Sequence, residues 1–294
     1  MVKKIVPSLL IALLVSLGWA WRADAATIDV LYDSLGFESF NLGPLSGQNG
    51  GLSRPWVVDG NGNYQVQDQV SVSGKAVSVT GGVTDWAYPQ SFNPAFVPAA
   101  GQTVVIEADI ARTLTTAVGG TSSFSYGIDV YDPSFVRITR FGLVATSGSI
   151  RPYVTALATG TSTTPSNLLL PFEGVIAPNQ FVSFRGELDF TAKTLSLFLN
   201  GTSVGSAIRW ANTAPTSLMD ADFQVSSNTA ASDIGYLDNY KVTAVPEPSS
   251  YAMAAIAMGM SGWHVWRTRR KGDARSPREN AGERGAIPEG GDGS

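Results

Sequence analysis

Between residues 26 and 245 no stretch of ten residues repeats its apolar positions at the 3.6-residue helical period, while short segments alternate apolar and polar at period two. Alternation of that kind gives each segment one apolar face as a strand, and such faces must be closed against a second sheet. Residues 70–73 and 76–79 alternate on either side of a turn. Residues 103–110, 123–131, 136–144 and 150–157 are rich in β-branched and aromatic side chains and are bounded by Gly, Pro, Asn or Asp. Residues 181–190 alternate again, and residues 194–199 lead through Asn200-Gly201 into residues 202–208. Both turn residues tolerate φ > 0, which suits a two-residue hairpin. A last strand is expected over 234–243. The expected fold class is all-β, a two-sheet antiparallel jelly-roll sandwich occupying 26–245. Its small-residue tracts 113–122 and 158–167 read as hairpin excursions or lips of a site.

The residue inventory excludes much chemistry. There is no cysteine, so no disulfide, thiolate nucleophile or thiolate metal site. The one histidine, His264, lies in the apolar C-terminal segment, which removes imidazole catalysis and histidine-ligated zinc from 26–245. That span holds ten basic and seventeen acidic residues, a net of −7, and disfavours nucleic acid.

Both ends of the chain carry addresses. Lys3 and Lys4 precede a short apolar run at 9–17, and Ala23-Asp24-Ala25 fits a cleavage site, so 1–25 reads as a secretory signal peptide helix. At the other end stand Pro246-Glu247-Pro248, then an apolar stretch at 249–266, then Arg267, Arg269, Arg270 and Lys271. Eighteen residues at 249–266 suffice to cross the ~30 Å hydrocarbon core as one transmembrane helix. The basic cluster stops transfer and stays cytoplasmic. This order resembles a PEP-CTERM sorting signal over 246–271. The resemblance implies Sec-type export, signal peptidase processing and transient retention in the inner membrane of a Gram-negative-type bacterium. Cleavage at Pro246-Glu247-Pro248 by an exosortase-type transpeptidase would then deliver the protein to the cell surface or extracellular matrix. Residues 272–294, rich in Pro, Gly and charge, read as a disordered tail.

A second resemblance concerns the domain. Phe184-Arg185-Gly186-Glu187-Leu188-Asp189-Phe190 followed by Thr194-Leu195-Ser196-Leu197-Phe198-Leu199-Asn200-Gly201 is similar to the paired back strands of concanavalin A-like, laminin-G-type sandwiches. The stretch from Ile234 to Val242 resembles the closing strand of that fold, and Gly36-Phe37-Glu38-Ser39-Phe40, with residues 43–50, is similar to the start of many PEP-CTERM proteins of this type.

Without His or Cys, catalysis would fall to paired carboxylates. Glu107-Ala108-Asp109 and Glu187-Leu188-Asp189 each put two on one strand face. Concanavalin-like glucanases carry a further Glu three residues beyond the Asp; Arg112 and Ala192 stand there, so both strings read as solvated outer-face carboxylates and no catalytic residue is assigned. Sugar binding calls for aromatic platforms beside polar groups. Asp85, Trp86 and Tyr88, with Tyr126, Tyr131 and Tyr153, are the candidate ligand residues, and Trp210 is weighed beside them. No cofactor or metal ligand is assigned. A structural Ca²⁺ stays open, with Asp33, Glu38, Asp238 and Asn239 as the oxygens that adjacent first and last strands would bring together. The expected function is a non-enzymatic, exported, glycan- or exopolysaccharide-associated sandwich. The alternatives are a purely structural surface protein or a carboxylate-based hydrolase or lyase.

Overall fold

The computed structural model describes residues 28–50, 54–82, 84–114, 125–146, 148–157, 165–226 and 232–246. The signal peptide, the apolar segment 249–266, the basic cluster and the tail lie outside the described residues, as do most of both small-residue tracts. Among the described residues no helix is long and apolar enough to cross a membrane.

The described chain is strand joined by turns. In order these are β1 (Asp29–Asp33), β2 (Gly43–Pro44), β3 (Trp56–Asp59), β4 (Tyr64–Gln67), β5 (Ala76–Thr80) and β6 (Asp85–Pro89). The middle of the chain forms β7 (Gln102–Arg112), β8 (Ser125–Tyr131), β9 (Arg137–Thr146), β10 (Ser149–Leu157) and β11 (Pro165–Leu169). It closes with β12 (Val182–Asp189), β13 (Thr194–Leu199), β14 (Thr202–Arg209), β15 (Asp220–Val225) and β16 (Ile234–Pro246). They form two antiparallel sheets. The nine-stranded sheet runs β14-β13-β12-β7-β16-β5-β4-β2, with β1 on β16. The seven-stranded sheet runs β11-β10-β9-β8-β15-β6-β3. The two sheets form the expected sandwich, with the core between them.

The period-two faces are the ones buried. On β15, Ala221, Phe223 and Val225 point into the core, and on β8 Tyr126, Ile128 and Val130 do so. Asn200 (φ 48°) and Gly201 (φ 79°) make the β13–β14 turn with both residues left-handed, as the Asn-Gly pair predicts. Tyr32, Trp56, Phe37 and Tyr240 pack edge-on or tilted in one cluster at centroid separations of 5.6–5.9 Å. Burying each such ring is worth ~1.5–3 kcal/mol. Trp56 Nε1 donates to the Tyr32 hydroxyl at 2.6 Å, so the cluster also satisfies its polar edge.

Two side chains span the sandwich to β15. The Tyr240 hydroxyl donates to the Ala221 carbonyl at 2.6 Å, and the Tyr64 hydroxyl to the Phe223 carbonyl at 3.2 Å. Strand β15 is therefore held from beneath as well as by its neighbours, which matters for the residues on its outer face.

The structure departs from the sequence reading in places. Residues 70–73 form no strand despite their alternation. Gln67 takes their backbone groups instead: its Oε1 accepts from Gln69 N and Val70 N, and its Nε2 donates to the Val70 carbonyl. Val72 N donates to Asp238 Oδ2 at 2.8 Å. Side-chain partners thus compete successfully with a ladder. Pro165, Ser166 and Asn167, expected in a loop, belong to β11 and pair with Leu157, Ala156 and Thr155.

Candidate binding groove

On the outer face of the seven-stranded sheet lies a groove of about 230 Å³ lined by Asp59, Trp86, Tyr88, Tyr131, Phe135, Asp220 and Asp222. Strand register explains the assembly. Asp59 pairs with Trp86 across β3–β6, and Gln224 pairs with Trp86 across β15–β6. Asp220 stands opposite Tyr131, and Asp222 opposite Asp129, across β15–β8. Because side chains alternate, one strand face delivers Asp220, Asp222 and Gln224 outward while Ala221, Phe223 and Val225 fill the core.

Facing carboxylates on adjacent strands repel. Asp129 is offset: Arg140 holds it through Nε and Nη2, and Arg137 Nη1 lies 3.7 Å away. The Tyr131 hydroxyl also donates to Asp129 Oδ2 at 3.0 Å. Asp220 and Asp222 have no such cation. Asp220 Oδ2 accepts from Ser91 Oγ at 2.8 Å. Oδ1 of each meets no donor from the rest of the protein, although the residues are only 4% and 6% exposed. Burial, then the charges of Asp220, Asp129 and Asp59, push the Asp222 carboxyl well above the usual range. Burial also raises Asp220, against the hydrogen bond from Ser91. Tyr88 is raised by burial and by Asp59, Asp222 and Asp220.

Trp86 Nε1 also lacks a partner, as does Oε1 of Gln224, which pairs with Trp86 across β15–β6. At the rim, Phe135 is held at φ 56° and is 69% exposed. Its turn is set by Asp132, whose Oδ1 accepts from Ser134 N and Val136 N. A large apolar ring kept in a left-handed conformation and turned to solvent is a costly arrangement for a fold alone.

Of the candidate ligand residues, Trp86, Tyr88 and Tyr131 meet in this groove. Asp85 does not: it lies next to Trp86 in sequence but on the opposite face, pairs with core residue Val225, and is fully buried. Tyr126 is likewise a core residue, its ring against Gly235, where an added Cβ would lie 2.0 Å from the tyrosine. Tyr153 is buried beside Arg140 and Asp129 outside the groove lining, and that burial pushes its hydroxyl up to about 12. Trp210 is buried against Phe190 at 4.8 Å. Asp59, Asp220, Asp222, Gln224 and Phe135 were absent from the sequence candidates. The alternation Asp220-Ala221-Asp222-Phe223-Gln224-Val225 carried a signal for three of them; nothing in the sequence marks Phe135.

A larger hollow of about 550 Å³ lies against the outer face of the nine-stranded sheet. Its charges are already used. Arg185 pairs with Glu107 at 3.5 Å and Glu187 at 2.7 Å, and Lys241 with Asp33 at 3.1 Å. Asp109 accepts from Ser183 and from Asn239 Nδ2. Asp189 caps its turn through Thr191 N and Ala192 N. The first and last strands do lie together, Asp33 opposite Lys241. Asp238 is nevertheless committed to Val72 N and Asn239 N, and Glu38 to Ser73 and Lys75 N. Burial raises the Asp238 carboxyl to about 6. Among the described residues no three of His, Cys, Asp and Glu form a metal-holding group.

Comparison with known proteins adds an address. Residues 244–271 match the PEP-CTERM protein-sorting motif, which implies export and sorting. Its first residues are the end of β16, so the sandwich runs directly into it. No curated protein matches the chain in sequence. Solved structures similar to it include a sialidase (12% identity, TM-score 0.43), of which the match covers 16% against 64% of this chain. Others are the alginate lyase AlyC3 (10% identity, TM-score 0.42, 60% of this chain and 77% of that one) and the cellulose induced protein Cip1 (15% identity, TM-score 0.40, 65% and 90%).

Proposed function

We propose that the exported sandwich is a non-enzymatic polysaccharide-binding protein of the cell surface or matrix, and that its ligand lies in the groove of the seven-stranded sheet. One observation carries this reading. Trp86 Nε1 and the Oδ1 atoms of Asp220 and Asp222 are buried polar atoms without protein partners, on residues that line the groove together with Tyr88, Tyr131 and Phe135. Buried polar atoms are normally satisfied by protein, water or ligand. Aromatic rings beside unpartnered donors and acceptors match what a sugar presents, C–H groups on one side and hydroxyls at its edge. The C-terminal motif supports the rest: transient anchoring by 249–266 and exosortase-type cleavage near Pro246-Glu247-Pro248.

The test is retention of the full-length chain on insoluble and soluble polysaccharides, with product analysis. Trp86→Ala combined with Tyr88→Ala should reduce retention while thermal unfolding stays cooperative. Unchanged retention would sink the site, absence of any binding would favour a purely structural coat protein, and shortened product would favour an enzyme. The mass of the surface-released form should correspond to a C-terminus near Pro246 to Pro248; an intact C-terminus would overturn the processing.

A further inference from the structure

The groove is acidic in a way that selects among polysaccharides. Asp59, Asp220 and Asp222 line it, and no basic residue does. On the neighbouring strand β9, Arg140 is held by Asp129, and Arg137, opposite Tyr131, lies 3.7 Å from the same carboxylate. Three other buried carboxylates have their own counter-charge or paired donors, whereas Asp85, on the core face, has the Trp86 N–H on Oδ1 and an unpartnered Oδ2. Asp129 has Arg140, Asp233 has Arg112 and the Leu114 N–H at 3.0 Å, and Asp238 has two backbone N–H groups. Asp220 has Ser91, Asp222 has no charged partner, and the Oδ1 atoms of both meet no protein donor. Four aromatic rings, Trp86, Tyr88, Tyr131 and Phe135, complete the lining, and an aromatic ring can take a cation on its face.

From this juxtaposition we infer that the groove recognises a protonated primary amine carried on the sugar, so that its ligand is a polysaccharide containing free 2-amino sugars. The inference rests on the polysaccharide-binding reading and adds the charge of the ligand. An ammonium has three donors and no acceptor, and so can serve Asp220 and Asp222 together while its charge sits against Trp86, Tyr88 and Tyr131. A uronate or sulfate would place like charges against three carboxyls, a juxtaposition interfaces use to reject partners. A divalent cation is the poorer fit, since Ca²⁺ takes six to eight oxygen ligands and the aromatic walls offer few. The volume, about 230 Å³, lies below the ~300–1,000 Å³ usual for drug-sized ligands, so the site reads one ring and not a long segment.

The experiment measures binding of the full-length chain to four soluble oligosaccharide probes of equal length: glucosamine, N-acetylglucosamine, glucose and mannuronate oligomers. The free-amine oligomer should bind roughly 10–100-fold more tightly than its N-acetylated counterpart, as one charge-assisted bonding group would provide. Asp222→Asn and Asp220→Asn should each erase most of that difference. Glu187→Gln, which removes the same charge from the opposite sheet, should leave it intact and so exclude attraction to net charge alone. Equal binding of the amine and N-acetyl oligomers, or a preference indifferent to Asp222→Asn, would overturn the inference. If Trp86→Ala still abolished binding in that case, the polysaccharide-binding reading would survive. Tightest binding of the mannuronate oligomer would overturn the inference in the same way. Failure of every probe, or binding indifferent to Trp86→Ala, would overturn both.

Discussion

Replacing Asp222 by Asn should make the protein more stable at neutral pH, although the residue is buried and central to the groove. In the wild type, Asp222 faces Asp220 and Asp129 with Asp59 nearby, and Oδ1 of Asp220 and of Asp222 has no protein donor. Arg140 and Arg137 answer Asp129 and leave the pair alone. Tyr88 and Tyr131 flank the site, and Tyr240 and Tyr64 approach β15 from beneath. A carboxyl raised in the folded state is bound to its proton more tightly there than in the unfolded chain. The unfolded state therefore binds fewer protons, and stability falls as pH rises above the ordinary carboxylate value of ~3.9. Each unit of that shift costs about 1.4 kcal/mol once the pH exceeds the folded value. Asn cannot ionise, keeps the shape, and its Nδ2 can donate to Asp220, a bond to a charged acceptor worth about 1.5–3 kcal/mol. A gain of about 2 kcal/mol corresponds to roughly 4–8 °C in Tm for a domain of this size. Calorimetric scans of wild type and Asp222→Asn at pH 4 and pH 8 measure it. At pH 8 the variant should melt higher. At pH 4, where Asp222 is protonated in the folded state, the gain should shrink to under ~1 kcal/mol. A variant that melts lower at pH 8, or one with the same gain at both values, would refute the electrostatic argument.

Two further outcomes follow from named residues. Phe135→Gly removes a left-handed phenylalanine that is 69% exposed; relief of ~1–3 kcal/mol of backbone strain should roughly cancel the entropy glycine adds to the unfolded chain. Its Tm should therefore move little while polysaccharide retention weakens, and a large fall in Tm would show that the ring is structural. Asp233→Ala removes the counter-charge of Arg112, both side chains being 1% exposed, and should cost about 3–5 kcal/mol by chemical denaturation. A loss below ~1 kcal/mol would mean that other contacts of Arg112 and Tyr126 carry that region.

The groove is only half legible in the sequence. Trp86 and Tyr88 are visible from their i, i+2 spacing after a glycine turn, and the same spacing implies that Asp85 points the other way. Tyr126 shares a strand with Tyr131, yet their odd separation puts them on opposite faces. Asp220, Asp222 and Gln224 carried the alternation used elsewhere. Their importance is a matter of what they lack, a cation and donors, and that depends on Arg137 and Arg140 being taken by Asp129.

The sequence by itself determined the strand period, the Asn200-Gly201 turn, the exclusion of thiol and imidazole chemistry, and the sorting motif at 244–271. All of these are local: they depend on residues a few positions apart, or on whether a residue type occurs at all. Tertiary structure alone decided that β15 lies between β6 and β8, two strands that precede it in the chain by about a hundred residues or more. Period two sets which face a side chain takes but not which strand stands beside it. That choice is made by hydrogen bonding and core packing across the whole sandwich, and it brings Asp59, Trp86, Phe135 and Asp222 into one groove.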